Sequence, residues 1–364
     1  MEQGHIGGGQ AALLIFTILA TKVLLVYPTA MIQNGQGAGW LLVLLNAAWG
    51  AAAVWVLAAL ARRFPGRGLA EVAQEVAGPV LGTAFGLTVA GGLLFLAALV
   101  LRLLSESFII AILPQTPPSV LIGTAVGLAV YAGYLGLEPL ARAHQVVIPP
   151  VAAAMVVVLL LVLREAQAGW LYPVLGPGLP TLAQASLWHA GAWVEVVLLG
   201  IYGHAFRRPG ELGRAGLWGV VAAALALAAT TATFTAVFGP EGAAREPFPL
   251  YHLARMVYLG RFFQRAESLF VLFWISGGLT YTALLLHGAA VTTAQALGVP
   301  FYRPLLLPLG LLLFGLALLP GSYTETQAWD ALLRQWAALP LFGIPVLLLA
   351  VGRLRRRGGL AHVR

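Results

Sequence analysis

The sequence predicts an all-α integral membrane protein of about ten transmembrane helices, and three observations predict it. Of its 364 residues, 60% are hydrophobic and only 9% are charged, whereas about a quarter of the residues of a soluble domain are charged. Apolar runs long enough to cross a bilayer as helices recur from one end of the chain to the other. The arginines gather between these runs, as orientation signals do. No soluble domain fits between the runs, so residues 1–364 read as a single transmembrane domain. The net charge of +8 follows from those scattered arginines and does not point to nucleic acid.

The expected spans lie at about 11–31, 40–60, 81–113, 119–135, 145–163, 183–203, 214–238, 267–287, 304–320 and 337–352. The first has neither a preceding basic region nor a small-residue cleavage site, so it is expected to be a retained helix. The third is longer than a bilayer requires and should tilt or project, which places Arg102 and Glu106 in its outer third. The stretch PFPLYHLARMVYLGRFFQRAE, after the seventh span, has apolar residues near helical spacing and is expected to lie as a helix across the outer mouth. Other connections, such as LPQTPPS and YPVLGPGLP, are punctuated by proline and glycine.

With a cytoplasmic amino terminus, thirteen arginines fall in inside segments and six outside, Arg164, Arg245, Arg255, Arg261, Arg265 and Arg334. Both termini are therefore expected inside. Ten spans divide as five plus five, at roughly 10–163 and 183–352, and an odd number in each half gives the halves opposite topology. That is the inverted-repeat pattern of many transporters, whose first and sixth helices are interrupted near the midplane. The breakers are Tyr27-Pro28 in the first span and Gly191, Gly200 and Gly203 in the sixth.

Under this division Lys22 and Glu195 each fall about twelve residues into their helices, roughly 18 Å at the helical rise. Lys22 is the only lysine among 21 basic residues. A charge at the bilayer centre costs about 2.5–3.5 kcal/mol on insertion scales, so both residues should face the protein interior and have partners. Two readings stay open, a lining of a polar cavity and a purely structural ion pair. Arg102 and Glu106, four apart on one helix, either pair locally or line an outer vestibule. Ser276, Gly277 and Gly278 either let helices pack closely or expose backbone to a ligand.

The absence of cysteine excludes disulfides and thiolate chemistry. None of the seven histidines has a partner at metal-ligand spacing, so neither a metal nor another cofactor is expected. No GxSxG, HExxH, P-loop or dinucleotide fingerprint occurs, which argues against an enzyme.

Several phrases in order resemble one family. They are VYP at Val26–Pro28, GQGAGW at Gly35–Trp40, RRFPG at Arg62–Gly66, LPQTPP at Leu113–Pro118 and GLEPLAR at Gly136–Arg142, followed by Glu195 and FFQRAESLFVLFW at Phe262–Trp274. Together they are similar to the spore germination proteins of the germinant-receptor B subunit type, within the amino acid-polyamine-organocation permease superfamily. The resemblance implies a permease fold, the inner membrane of a bacterial spore, and a small germinant such as an amino acid. It also implies an A-type membrane subunit and a C-type lipoprotein as partners. Such a fold would hold its solute near the middle of the first, third, sixth and eighth spans. The candidates there are Thr21, Lys22, Tyr27, Leu99, Glu195, Leu199, Gly200 and Ser276, with Arg102 and Glu106 at an outer vestibule. A free-standing proton-coupled amino acid transporter in the cell membrane fits the same residues, since one fold serves both roles.

Overall fold

The computed structural model describes residues 5–206, 208–257 and 267–359, and within them the chain is almost entirely helical. The first apolar run is not one helix. Helix α1 (Gly8–Ala20) gives way to a 3-10 turn, Thr21–Leu24, and Leu25 is extended before α2 (Tyr27–Gly35) begins. Pro28 stands in the first turn of α2, where a missing N–H leaves no carbonyl unsatisfied and the fixed φ favours helix initiation. The interruption therefore falls before Tyr27-Pro28, and the proline starts the second half instead of ending the first.

Five helices follow: α3 (Gly39–Arg63), α4 (Leu69–Ala77), α5 (Pro79–Ala111), α6 (Pro118–Leu135) and α7 (Leu137–Val162). With 33 residues, α5 is about 50 Å long, well beyond a hydrocarbon core of about 30 Å. The fifth expected span starts earlier than its apolar run, because α7 continues unbroken through Pro149 and Pro150. Neighbouring helices make such prolines tolerable inside a bundle.

The sixth run is also interrupted. After α8 (Leu179–Trp188) comes a 3-10 segment, Ala190–Val196, in which Trp193 leaves helical geometry, followed by α9 (Val197–Ile201), and the stretch Ala190–Ile201 is bent by 46° from α8. The chain continues through α10 (Pro209–Ala243), α11 (Pro249–Met256), α12 (Glu267–Leu297), α13 (Arg303–Leu318), α14 (Tyr323–Ala338) and α15 (Ile344–Gly359). The helix expected across the mouth is present as α11, while 258–266 lie outside the described residues.

Each of the ten expected runs coincides with helix. By length and hydropathy, five stretches among the described residues are able to cross a membrane, or seven when the bent pairs α8/α9 and α13/α14 each count as one. The tenth run departs most from expectation. Its helical stretch begins at Tyr323 and passes through a π-helical turn, Leu339–Gly343, into α15. The reason is that α14, too polar to read as a span, directs Asp330 and Arg334 into the bundle, where their side chains are 15% and 14% exposed. Arg334, expected in an outer connection, is thus an interior residue.

Packing places the two interruptions side by side. α5 lies along α12, α3 along α10, and α1 between α7 and α10, while α14 crosses both α5 and the segment Ala190–Val196. Ile18, Met31, Leu42, Leu103 and Trp193 are almost completely buried in the core so formed. A Cβ at Gly277 would lie 3.3 Å from Thr21 Oγ1, and one at Gly278 only 2.9 Å from Leu104 Cδ1. The small residues of α12 therefore let it close on the first interruption and on α5.

Candidate functional site

Lys22 follows directly on the last turn of α1, where unsatisfied carbonyls favour a cation. Its Nζ donates to Glu195 Oε2 at 2.8 Å, and the two side chains are 5% and 0% exposed. The other carboxylate oxygen, Oε1, accepts from the Tyr281 hydroxyl of α12 at 2.8 Å and from Arg334 Nη1 of α14 at 3.0 Å. Arg334 in turn donates through Nε to both oxygens of Asp330, at 3.1 and 2.9 Å. Two cations and two carboxylates thus meet in one buried cluster, and their formal charges cancel. A carboxylate with three donors, two of them charged, satisfies the condition under which burial of an ion is tolerated.

Gly191 makes this arrangement sterically feasible. A Cβ at that position would overlap the backbone oxygen of Arg334, so only glycine allows α14 to lie so close to the interrupted sixth run.

Beside the cluster is a cavity of about 220 Å³, bounded by Lys22 and Tyr27 of the first interruption, Leu103 of α5, His189 beside the second, and Asp330 and Arg334 of α14. Of the residues expected at a ligand site, Lys22 and Tyr27 are on its wall, and Glu195 sits behind Lys22. Thr21 and Ser276 border a separate cavity of about 50 Å³ between α1, α7 and α12. Leu99 is fully buried in the core, and α5 reaches the cavity beside the cluster one turn later, at Leu103. Leu199 faces an apolar void of about 20 Å³ near Ile6 and Leu14. Gly200 packs away from the cavity, where a Cβ would stand 2.8 Å from Leu57 Cδ2. Arg102 Nε donates to Glu106 Oε1 at 2.6 Å, with side chains 10% and 12% exposed, and neither residue lines the cavity.

Asp330 and Arg334 are the site residues that the apolar pattern missed. A signal for them exists, since an acidic residue four positions before a basic one is the favourable order for a helical pair.

Comparison with known proteins places this geometry in context. Residues 5–326 match the family described as Spore germination protein. Spore germination protein YndE of Bacillus subtilis (strain 168) is 23% identical over 355 residues, which cover 96% of each chain. Spore germination protein KB of the same organism is 24% identical over 316 residues, covering 85% of this chain and 84% of that one. Among solved structures, the fold is similar to that of Mhp1, a nucleobase-cation-symport-1 family transporter in a closed conformation with bromovinylhydantoin bound. The TM-score is 0.67 at 17% identity, over 95% of this chain and 78% of Mhp1, a likeness of fold alone. Asp330 and Arg334 lie beyond the residues matched to the family, but the match takes in both interruptions and most of the chain. The chain therefore belongs to the spore germination protein family.

Proposed function

We propose that the chain binds a small solute, an amino acid or a close analogue, in the cavity between the two interruptions, and that it signals this as the B-type membrane subunit of a germinant receptor. The observation that carries the proposal is the cavity itself, whose wall combines both interrupted runs with α5 and α14. An apolar cavity of about 150 Å³ holds one benzene molecule, so about 220 Å³ suits a solute of amino-acid size. The wall belongs to the charge cluster that ties α14 to both interruptions, so a solute that competes for Lys22 or Arg334 shifts the balance between conformations.

In this reading the protein works by binding and not by catalysis. It lies in the inner membrane of a spore with both termini on the cytoplasmic side, built from two inverted repeats at roughly 10–163 and 183–352. Its partners are an A-type membrane subunit and a C-type lipoprotein, which the family resemblance suggests. The test is thermal unfolding of the purified full chain in detergent with each of the twenty L-amino acids at millimolar concentration. At least one should raise Tm by mass action, and the rise should vanish in Arg334→Met. A chain whose Tm none of them changes contradicts the reading. Accumulation of the stabilising amino acid in vesicles that contain this chain alone would replace the receptor by a transporter.

A further inference from the structure

Behind Tyr27, a line of polar side chains runs from α3 to α8 and back. Trp49 Nε1 donates to Ser186 Oγ at 3.2 Å, Ser186 donates to Asn46 Oδ1 at 3.2 Å, and Asn46 Nδ2 donates to the Tyr27 hydroxyl at 3.3 Å. Asn46 is fully buried and Ser186 nearly so, whereas Trp49 is 41% exposed at the outer edge of the bundle. A buried amide inside a membrane span is costly unless its groups are satisfied, and such residues tend to be functional.

The direction of this chain is fixed from both ends. An indole N–H only donates, so Ser186 accepts from Trp49 and has its single proton left for Asn46. At the other end, Asn46 Nδ2 also faces Met31 Sδ at 3.7 Å, and a thioether only accepts. Both constraints select the same amide orientation. The Tyr27 oxygen therefore receives a proton from Asn46 and still holds its own, for which no described residue provides an acceptor. Tyr27 lines the cavity, across the interruption from the ammonium of Lys22.

We infer that Tyr27 offers its hydroxyl proton to the cavity as a specificity-determining donor, and that the bound solute presents a hydrogen-bond acceptor, a carboxylate or carbonyl, at that point. Asn46 is the positioning residue that keeps the hydroxyl facing inwards. The inference rests on the reading of the cavity as a solute site.

The experiment titrates the twenty L-amino acids against the full-length chain and its variants, with Tm and apparent affinity as readouts. Tyr27→Phe preserves the ring but leaves Asn46 Nδ2 with Met31 Sδ alone, so its Tm without solute should fall modestly, while affinity for the stabilising amino acid should fall about tenfold or more. Asn46→Asp turns both ends of the position into acceptors, which draws the Tyr27 proton away from the cavity. Its affinity loss should equal that of Tyr27→Phe, and the double variant should lose no more than either single one. If Asn46→Asp does not accumulate in the membrane, Asn46→Leu removes the donor that positions the hydroxyl instead. That change should lower affinity in the parent and have no effect in the Tyr27→Phe background. A parent that binds while Tyr27→Phe binds equally well, or losses that add in the double variant, overturn the inference and leave the solute site standing. A parent that binds none of the twenty overturns both.

Discussion

Arg334 Nη1 lies 3.0 Å from Glu195 Oε1, so α14 is joined by a charged hydrogen bond to the interrupted sixth run. Glu195 is completely buried and already holds Lys22 at 2.8 Å. The pair expected between the first and sixth runs is therefore one edge of a larger cluster that includes Asp330 and Tyr281.

That cluster sets an order among substitutions. Glu195→Gln leaves Lys22 and Arg334 facing Asp330 alone, one cation in excess, and breaking a buried pair this way costs about 3–5 kcal/mol. Lys22→Met should cost less, because Glu195 keeps Arg334 and Tyr281. The double variant leaves the neutral pair Arg334–Asp330 and should recover membrane abundance that Glu195→Gln loses. Abundance and Tm of the three variants check this, and strictly additive losses would show that the charges do not interact.

Gly191→Ala should separate α14 from the interruption, since the added methyl meets the Arg334 carbonyl. Overpacking of this kind costs about 1–3 kcal/mol. Gly91→Ala in α5, where a Cβ meets nothing within 4 Å, should be neutral or slightly stabilising and serves as the control. Thermal unfolding of the two variants side by side decides it, and equal Tm values would contradict the close packing of α14.

Arg102 and Glu106 form a nearly buried pair on α5, in which Glu106 Oε2 has no hydrogen-bond partner among the described residues. Arg102→Met should therefore destabilise by leaving a carboxylate without its cation, and adding Glu106→Gln should restore much of the loss. Solute affinity should stay unchanged in the double variant, because neither side chain is on the cavity wall. A change in affinity that tracks Arg102 would instead make the pair part of the site.

The interruptions and the Lys22–Glu195 contact were legible in sequence because charge is rare here: a lysine and a glutamate, each the only charge in its own apolar run, have little choice but to meet. Pro28 marked the first interruption but not its side, since proline signals a helix start as readily as a stop. Arg334 was misread for the opposite reason. In YTETQAWDALLRQ polar residues are frequent enough to suggest a loop, and only the fold shows that Gln327, Asp330, Arg334 and Gln335 face a cavity. Leu99, Leu199 and Gly200 stand near the middle of their helices, but which face points to the cavity depends on helix rotation, which neighbouring side chains set. Asn46 leaves little trace in the sequence pattern, because a single amide hardly alters a run as apolar as GWLLVLLNAAWG.

The central claim, that a solute occupies the cavity beside Lys22 and Arg334, is tested most directly by protection of a cysteine placed on its wall. Ala331 lines the cavity and is exposed, and the chain contains no other cysteine. In Ala331→Cys, the rate of modification by a small charged thiol reagent is measured with each of the twenty L-amino acids. The amino acid that raises Tm should also slow modification about tenfold at saturating concentration, as occupancy of about 90% requires. If that amino acid leaves the rate at Ala331→Cys unchanged but protects Ser276→Cys, the solute binds in the smaller cavity by α7 and α12, and the central claim is wrong.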